Sequence, residues 1–243
     1  MEQYHQLLEK YLNEITWTKA SPQLKSQDNF DNYIGSNKYA TIFCFSQDDG
    51  KIIAIKDFGI FYIKNATVEY SLFANNLFST LAGIHICASV VASDFYFRRG
   101  YLPLHGTTVM GDSKVATVII GNSGSGKSTL ATHLIKFQAH DLVADDIAYI
   151  NGQGMVIPMA PLIKSWGESS LSNGESLVEE VYKGSGKYIE LLPQNVTVQV
   201  RAQRLIILEN SNDIDVPIIS KLDFKQALIA LSEHIHHKYL YSY

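Results

Sequence analysis

Two kinds of hydrophobic spacing divide the chain. Over the first twenty residues Leu8, Tyr11, Leu12 and Ile15 recur at helical intervals, which predicts an amphipathic helix ending before Pro22. A polar stretch follows to Lys38. From Tyr39 the spacing shortens, and residues 40–45 and 52–55 are β-rich runs joined by the turn-like Gln47-Asp48-Asp49-Gly50-Lys51. That pattern predicts a hairpin, which residues 58–63 and 67–72 can extend into a sheet. From Leu77 to Ser93 there is no Asp, Glu, Lys or Arg. The run is short for a membrane span of about 20 residues and is broken by Ser79, Thr80, His85, Ser89 and Ser93, so it predicts a buried helix and no membrane association.

Short apolar strands dominate the second half. Residues 104–110 form one, opened by His105-Gly106, and Val115 to Ile120 form another that is apolar or β-branched throughout. Residues 128–137 contain no Pro or Gly and carry Leu130, Leu134 and Phe137 at helical spacing. Asp141 to Asp146 reads as a strand ending in two acids, and Ile147 to Gly152 as a strand entering a turn. Further β-type runs cover 195–200 and 204–208. Asp223 to Tyr239 closes the chain as an amphipathic helix marked by Phe224, Leu228, Leu231 and Ile235. The succession predicts an α/β fold with a mixed β-sheet and flanking helices. Residues 1–95 read as an N-terminal α+β region and candidate substrate-recognition lobe, and 96–243 as the core.

Between the predicted strand at 115–120 and the helix after it lies Gly121, Asn122, Ser123, Gly124, Ser125, Gly126, Lys127, Ser128 and Thr129. The first eight fit G-x-x-x-x-G-K-[ST] at every fixed position, in the strand–loop–helix context that motif requires. Successive loop amides can then face one phosphate, the helix N-terminus adds partial positive charge, and Lys127 reaches the outer phosphates. Ser128 is left to ligate Mg²⁺ through its hydroxyl. Asp145 and Asp146, at the end of a later strand, stand where such a site needs carboxylates for Mg²⁺ and for the attacking group's proton.

Composition narrows the ligand. A formal charge of -4 and the lack of a Lys/Arg-rich run argue against a nucleic-acid partner, so the phosphate is read as a nucleotide's. The 2 cysteines, Cys44 and Cys87, lie in apolar settings without ligand spacing and read as core thiols of a reducing compartment. The first residues lack a signal-peptide pattern, which predicts a cytoplasmic location. At their spacing two of His234, His236 and His237 point apart, so the three read as a solvated helix end.

Taken together, His105-Gly106 before a strand, the glycine loop, and Leu142-Val143-Ala144-Asp145-Asp146 resemble the C-terminal catalytic domain of HPr kinase/phosphorylase. The match covers about residues 102 to 150. It implies a P-loop kinase core of the type shared with phosphoenolpyruvate carboxykinase, with ATP and Mg²⁺ as cofactors. By that resemblance Lys127 and the loop amides bind the β- and γ-phosphates, and Ser128 holds Mg²⁺. Asp145 supports the metal, Asp146 takes the proton of a substrate serine, and His105 sits beside that base. The Glu-Ile-Arg-Gly-x-Gly stretch of the bifunctional enzymes is absent, which argues against phosphorylase activity. Pro158-Met159-Ala160-Pro161-Leu162-Ile163-Lys164-Ser165-Trp166 is similar to a segment of smaller HPr-kinase-related proteins, among them the kinases of lasso-peptide gene clusters. The neighbourhood of Lys187-Tyr188 is similar to theirs as well. Lys164 and Lys187 are readable either as site residues or as solvated surface lysines.

The resulting expectation is an ATP- and Mg²⁺-dependent serine kinase. Its acceptor is a peptide or small protein, with the C-terminal serine of a lasso-peptide precursor preferred. The resemblance also implies a homo-oligomer. The alternatives are an HPr-type protein kinase, a small-metabolite kinase, and an ATP-binding sensor without turnover.

Overall fold

The computed structural model describes residues 2–20, 33–36, 41–47, 49–73, 78–166, 177–210 and 218–236. Helix α1 (Glu2–Tyr11) buries Tyr4, Leu8 and Tyr11. The helix expected over the first twenty residues ends there, because Thr16–Lys19 is a strand, β1, paired in parallel with Thr67–Tyr70. β-Branched Thr16 and Thr18 and aromatic Trp17 suit an extended strand, and Trp17 Nε1 donates to Leu12 O at 3.3 Å to hold the turn between them. Strands β2 (Tyr33–Ser36), β3 (Thr41–Gln47), β4 (Gly50–Ile55), β5 (Gly59–Lys64) and β6 (Thr67–Leu72) complete a sheet in the order β1-β6-β5-β4-β3-β2. The expected hairpin is β3–β4, with Phe43 opposite Ala54, and β5 and β6 extend it as anticipated.

The uncharged run becomes helix α2 (Thr80–Ile86), a π-helical turn at Cys87–Val91, and helix α3 (Ala92–Phe97). Thr80–Phe97 is apolar and long enough to cross a membrane by composition, yet 72% of it is buried inside the protein. Gly83 lets α1 approach, since a Cβ there would lie 2.7 Å from Tyr4 Cε2. Both cysteines are free and buried, as expected.

The second sheet is built from β7 (Tyr101–Met110), β8 (Ala116–Gly121), β9 (Asp141–Ala144), β10 (Ile147–Asn151), β11 (Met155–Val156) and β15 (Val200–Leu208). It runs β10-β11-β15-β8-β7-β9, and β10 also pairs with β7, so five of its strands close into a ring. β15 lies parallel to β8 while β7 is antiparallel to both β8 and β10, which makes the sheet mixed. Every residue of β8 is buried, as its unbroken apolar run requires. A small sheet of β12 (Leu162–Trp166), β14 (Lys187–Leu191) and β13 (Leu177–Glu180) covers one side. The protein is therefore α/β, with mixed sheets and flanking helices.

Helices α4 (Lys127–Gln138) and α5 (Phe224–Glu233) complete the described elements. Ala131 is the buried residue on the core side of α4, flanked by Leu130 and Leu134, whereas Phe137 is 67% exposed. The expected helix ends at Glu233 and its apolar face is half realised: Leu231 of α5 packs on the ring's core, as does Ile235 just beyond the helix, where it bridges to Leu104, while Phe224 and Leu228 face solvent. Of residues 195–200 only Val200 is strand. One hydrophobic cluster runs from α1 and the first sheet through α2 and α3 to Ala144, Ile147 and Tyr149 on β9 and β10. The N-terminal elements thus form part of the floor beneath the two acids.

An ion pair also ties the first sheet to the helices: Lys51 Nζ of β4 lies 2.5 Å from Asp94 Oδ1 of α3, with the side chains 9% and 3% exposed. Arg98 Nε takes the other oxygen at 2.9 Å. Removing one member leaves a buried charge underpaired, which costs more than removing both. Lys51→Met is expected to lower stability in urea unfolding by about 3 kcal/mol, and Lys51→Met/Asp94→Leu to recover most of that loss.

Candidate active site

The glycine loop follows β8 and opens α4. Gly121, Gly124 and Gly126 have φ of 154°, 84° and 93°, conformations that side-chain-bearing residues avoid. At Gly121 a Cβ would lie 2.5 Å from Leu208 O and 2.6 Å from Ser125 Oγ. The first turn of α4 has no side-chain cap, so its N–H groups point into the loop. Lys127 is buried and donates to Gly121 O at 2.8 Å and Asn122 O at 2.9 Å. Burial lowers its pKa. Ser125 Oγ is buried and has no hydrogen-bond partner among the described residues. Fixed amides, an inward lysine and an orphaned hydroxyl together form a cradle for an anion.

The two acids interrupt what is otherwise one long strand. β9 and β10 both run antiparallel to β7, with Thr108 opposite Ala144 and His105 opposite Ile147. Asp145 and Asp146 fall between those pairs, and Gly106 N bonds Asp146 O at 3.2 Å. In an unbroken strand the two side chains would point to opposite faces. Asp146 instead adopts φ 68°, a left-handed conformation that aspartate tolerates, and turns toward His105. His105-Gly106 lies within β7 rather than ahead of it.

Asp145 lies beneath the loop. It accepts from Thr107 Oγ1 at 2.5 Å, Ser128 Oγ at 3.2 Å and the Lys164 amide at 3.2 Å. Burial and the neighbouring Asp146 raise its pKa. Asp146 faces the open side, where Lys164 Nζ donates to Oδ2 at 3.0 Å, His85 Nε2 is 3.3 Å from the same oxygen, and His105 Nε2 is 3.5 Å from Oδ1. Burial favours its protonated form, but the Lys164 ammonium and the His105 contact outweigh that and hold it well below the usual carboxylate range. His85 is driven down to about 3 by burial and by the Lys164 charge, so it is neutral. Helix α2 presents it from the N-terminal half, where Ser79 caps the helix and Glu179 Oε2 accepts from Leu81 N at 2.9 Å.

Loop and acids meet in a cleft of about 550 Å³. It is lined by Ser123, Gly124, Gly126, Lys127, Ser128, Thr129 and Thr132 of the glycine loop and α4, and by His105, Asp146, Lys164, Ser165, Trp166 and Lys187 of the strands around the acids. A separate cavity of about 20 Å³ behind Asp145, lined in part by His85 and Ser89, has room for a single water. Of the residues expected from sequence, Lys127, Ser128, Asp146 and His105 line this cleft, and Asp145 lies behind it, bonded to Ser128. Lys164 and Lys187 belong to it and are not solvated surface lysines. His85 and Thr107 carry no local sequence signal, since each is defined only by the acid it touches. His234 is buried rather than solvated because its carbonyl accepts from His105 N at 2.8 Å, while His237 lies outside the described residues.

Among the described residues no three His, Cys, Asp or Glu side chains gather as a metal site. Ser128 Oγ and the Asp145 carboxylate are nevertheless paired hard oxygens. Such a pair could hold Mg²⁺, which takes few protein ligands and completes its shell with phosphate oxygens and water. No protein-family model and no curated protein matches the chain.

Neutral His85 has a consequence for acid stability. An unfolded histidine titrates near 6.5, so as pH falls from about 6.5 toward 3 the unfolded chain takes up a proton that the folded protein refuses, and stability declines. Asp146 adds to this lower down: its contribution is full above the unfolded value of about 3.9 and is lost as pH drops through the depressed folded value. Urea midpoints are expected to fall between pH 7 and 5, with a visibly shallower slope for His85→Gln. An identical slope would rule out a neutral His85.

Proposed function

We propose that the protein is an ATP- and Mg²⁺-dependent serine kinase whose core is a P-loop kinase core of the HPr kinase/phosphoenolpyruvate carboxykinase type. The observation that carries this reading is the cleft itself: an anion cradle and the Asp146 carboxylate, held by Lys164 at 3.0 Å, line one cavity. A site that only bound nucleotide would not need a second carboxylate turned into the cleft and held there by two histidines and a lysine.

In this reading the loop amides and Lys127 bind the β- and γ-phosphates of ATP, and Ser128 with Asp145 holds Mg²⁺, which neutralises phosphate charge. The acceptor hydroxyl enters along the wall of His105 and Asp146. Its oxygen forms a bond to the γ-phosphorus as the bond to the β,γ-bridging oxygen breaks and ADP departs. The hydroxyl proton passes to Asp146. A carboxylate of such low pKa is a weak base, so it accepts late, when bond formation has already acidified the hydroxyl. Lys164 and His105 keep it ionised until then, and neutral His85 steadies Oδ2 without adding charge.

An open cleft with an exposed Trp166 at its rim favours a peptide or small-protein acceptor over a metabolite that would need enclosure. Reducing, ATP-rich cytoplasm is the setting this chemistry fits. A homo-oligomer remains part of the proposal through the family resemblance alone.

With radiolabelled γ-phosphate, Mg²⁺ and a serine peptide, wild-type protein is expected to yield labelled phosphoserine. Asp146→Asn should lower the rate by about 10²–10⁴-fold while still binding nucleotide. Lys127→Met should lose nucleotide affinity itself. Full transfer by Asp146→Asn would remove that residue from the role of base.

A further inference from the structure

The cleft meets β12 along its edge. Lys164, Ser165 and Trp166 all line the cavity, yet their side chains alternate between the two faces of the strand, so what the three share is the backbone between them. β14 pairs with one side of β12, and no strand among the described residues pairs with the other. The ladder fixes which groups point outward. Leu192 N donates to Pro161 O at 2.8 Å, so the bonded pairs are Pro161 with Leu192, Ile163 with Glu190 and Ser165 with Tyr188. Leu162, Lys164 and Trp166 therefore turn their N–H and C=O groups away from β14. Leu162 N is taken up by Ala160 O at 2.7 Å and Lys164 N by Asp145 Oδ2 at 3.2 Å. The Trp166 N–H and the Lys164 C=O have no hydrogen-bond partner among the described residues.

A bare strand edge is a template for another strand, and proteins usually blunt it. This one is blunted as far as the cleft and bare within it. A C=O at one position and an N–H two positions on is what a parallel strand reads: the residue opposite the middle position donates to the first group and accepts from the second. An antiparallel strand would also need the Lys164 N–H, which Asp145 already holds. We propose that the acceptor segment binds as an added β-strand parallel to β12, with one residue opposite Ser165 that donates its N–H to Lys164 O and accepts from the Trp166 N–H. The inference rests on the kinase reading and adds to it how the acceptor is held. Lys164 of this edge also donates from its side chain to Asp146 Oδ2 at 3.0 Å, and one residue of extended chain covers about 3.3 Å. A serine at or next to the docked residue is thereby brought beside that carboxylate. Main-chain pairing makes affinity depend on an extended backbone, while the Trp166 ring, 66% exposed, covers side chains on its own face.

The test removes main-chain donors one at a time. The parent probe is N-acetylated Ala-Ala-Ser-Ala-Ala amide, and each of its amides is N-methylated in turn. Binding to wild-type protein is measured by calorimetry in the presence of a non-hydrolysable ATP analogue and Mg²⁺. A methyl at the docked residue deletes a donor and presses into the edge, so it is expected to weaken binding by about 10-fold or more. Methyls on the residues next to it are expected to cost less than about 3-fold, because successive N–H groups of an added strand point alternately toward β12 and away from it. On the protein side Trp166→Pro removes the edge N–H, a change that an outward position of an edge strand tolerates. It is expected to bind the parent peptide about 10-fold more weakly than Trp166→Ala, which keeps the N–H. A methyl scan that is flat or lacks alternation, or no binding of the parent peptide, would overturn the added strand. So would a loss of nucleotide affinity in Trp166→Pro, relative to Trp166→Ala, as large as the loss of peptide affinity, because the edge would then serve ATP. Transfer to every methylated peptide at equal kcat/KM rejects the added strand and leaves the kinase, whereas alternating binding without transfer rejects the kinase and leaves the strand.

Discussion

A β-strand turns successive side chains to opposite faces, and this site needs two successive carboxylates at one place. The break at Asp145–Asp146 resolves that conflict. Ala144 at the end of β9 and Ile147 at the start of β10 keep one register against Thr108 and His105 of β7, and the one-residue shift of β9 lies earlier, between its Thr108 and Val109 pairs. The left-handed backbone at Asp146 then swings one acid out while the other stays beneath the loop. Everything else in the cleft follows from that division. The inward carboxylate meets Thr107 and Ser128, and the outward one meets the lysine and the histidines.

Lys164 holds both halves of the arrangement at once, since its amide donates to Asp145 and its ammonium to Asp146. A single residue on β12 therefore sets the distance between the two carboxylates. The shifts of the two acids diverge for the same reason. Asp145 is buried beside a like charge and receives only neutral donors, whereas Asp146 is buried beside a cation. Two groups of one chemical type, one residue apart, are thereby fitted for different tasks.

What the sequence made legible was whatever a local rule governs. The strand, glycine loop and helix from Ala116 to Gln138 are a contiguous pattern, and their boundaries match the expectation to within a residue or so. The order of His105, loop and acids was equally readable, because β7, β8 and β9 neighbour one another in the sheet. The helix end at Tyr11 was not, since Ile15 continues the helical spacing but is buried from a turn, and only the distant partner Thr67–Tyr70 draws 16–19 into a strand. His85 counted only as a polar break in an apolar run, 61 residues before the acid it faces. Phe224 and Leu228 misled in the other direction, since an apolar stripe shows only that a face can be buried, and α5 meets the core through its last turn alone.

The internal hydrogen bonds of Lys127 change what phosphate capture would require under the proposed kinase reading. The loop already supplies its lysine with two carbonyl acceptors, so an arriving anion trades places with them rather than filling an idle donor. Affinity is then the difference between two bonded states. Neutral carbonyls yield readily to a multiply charged polyphosphate and poorly to chloride, water or a lone carboxylate. The self-bonded loop thus acts as a threshold, deaf to weak anions at any ordinary concentration, and the selectivity of the cradle resides as much in what its lysine must give up as in what it gains.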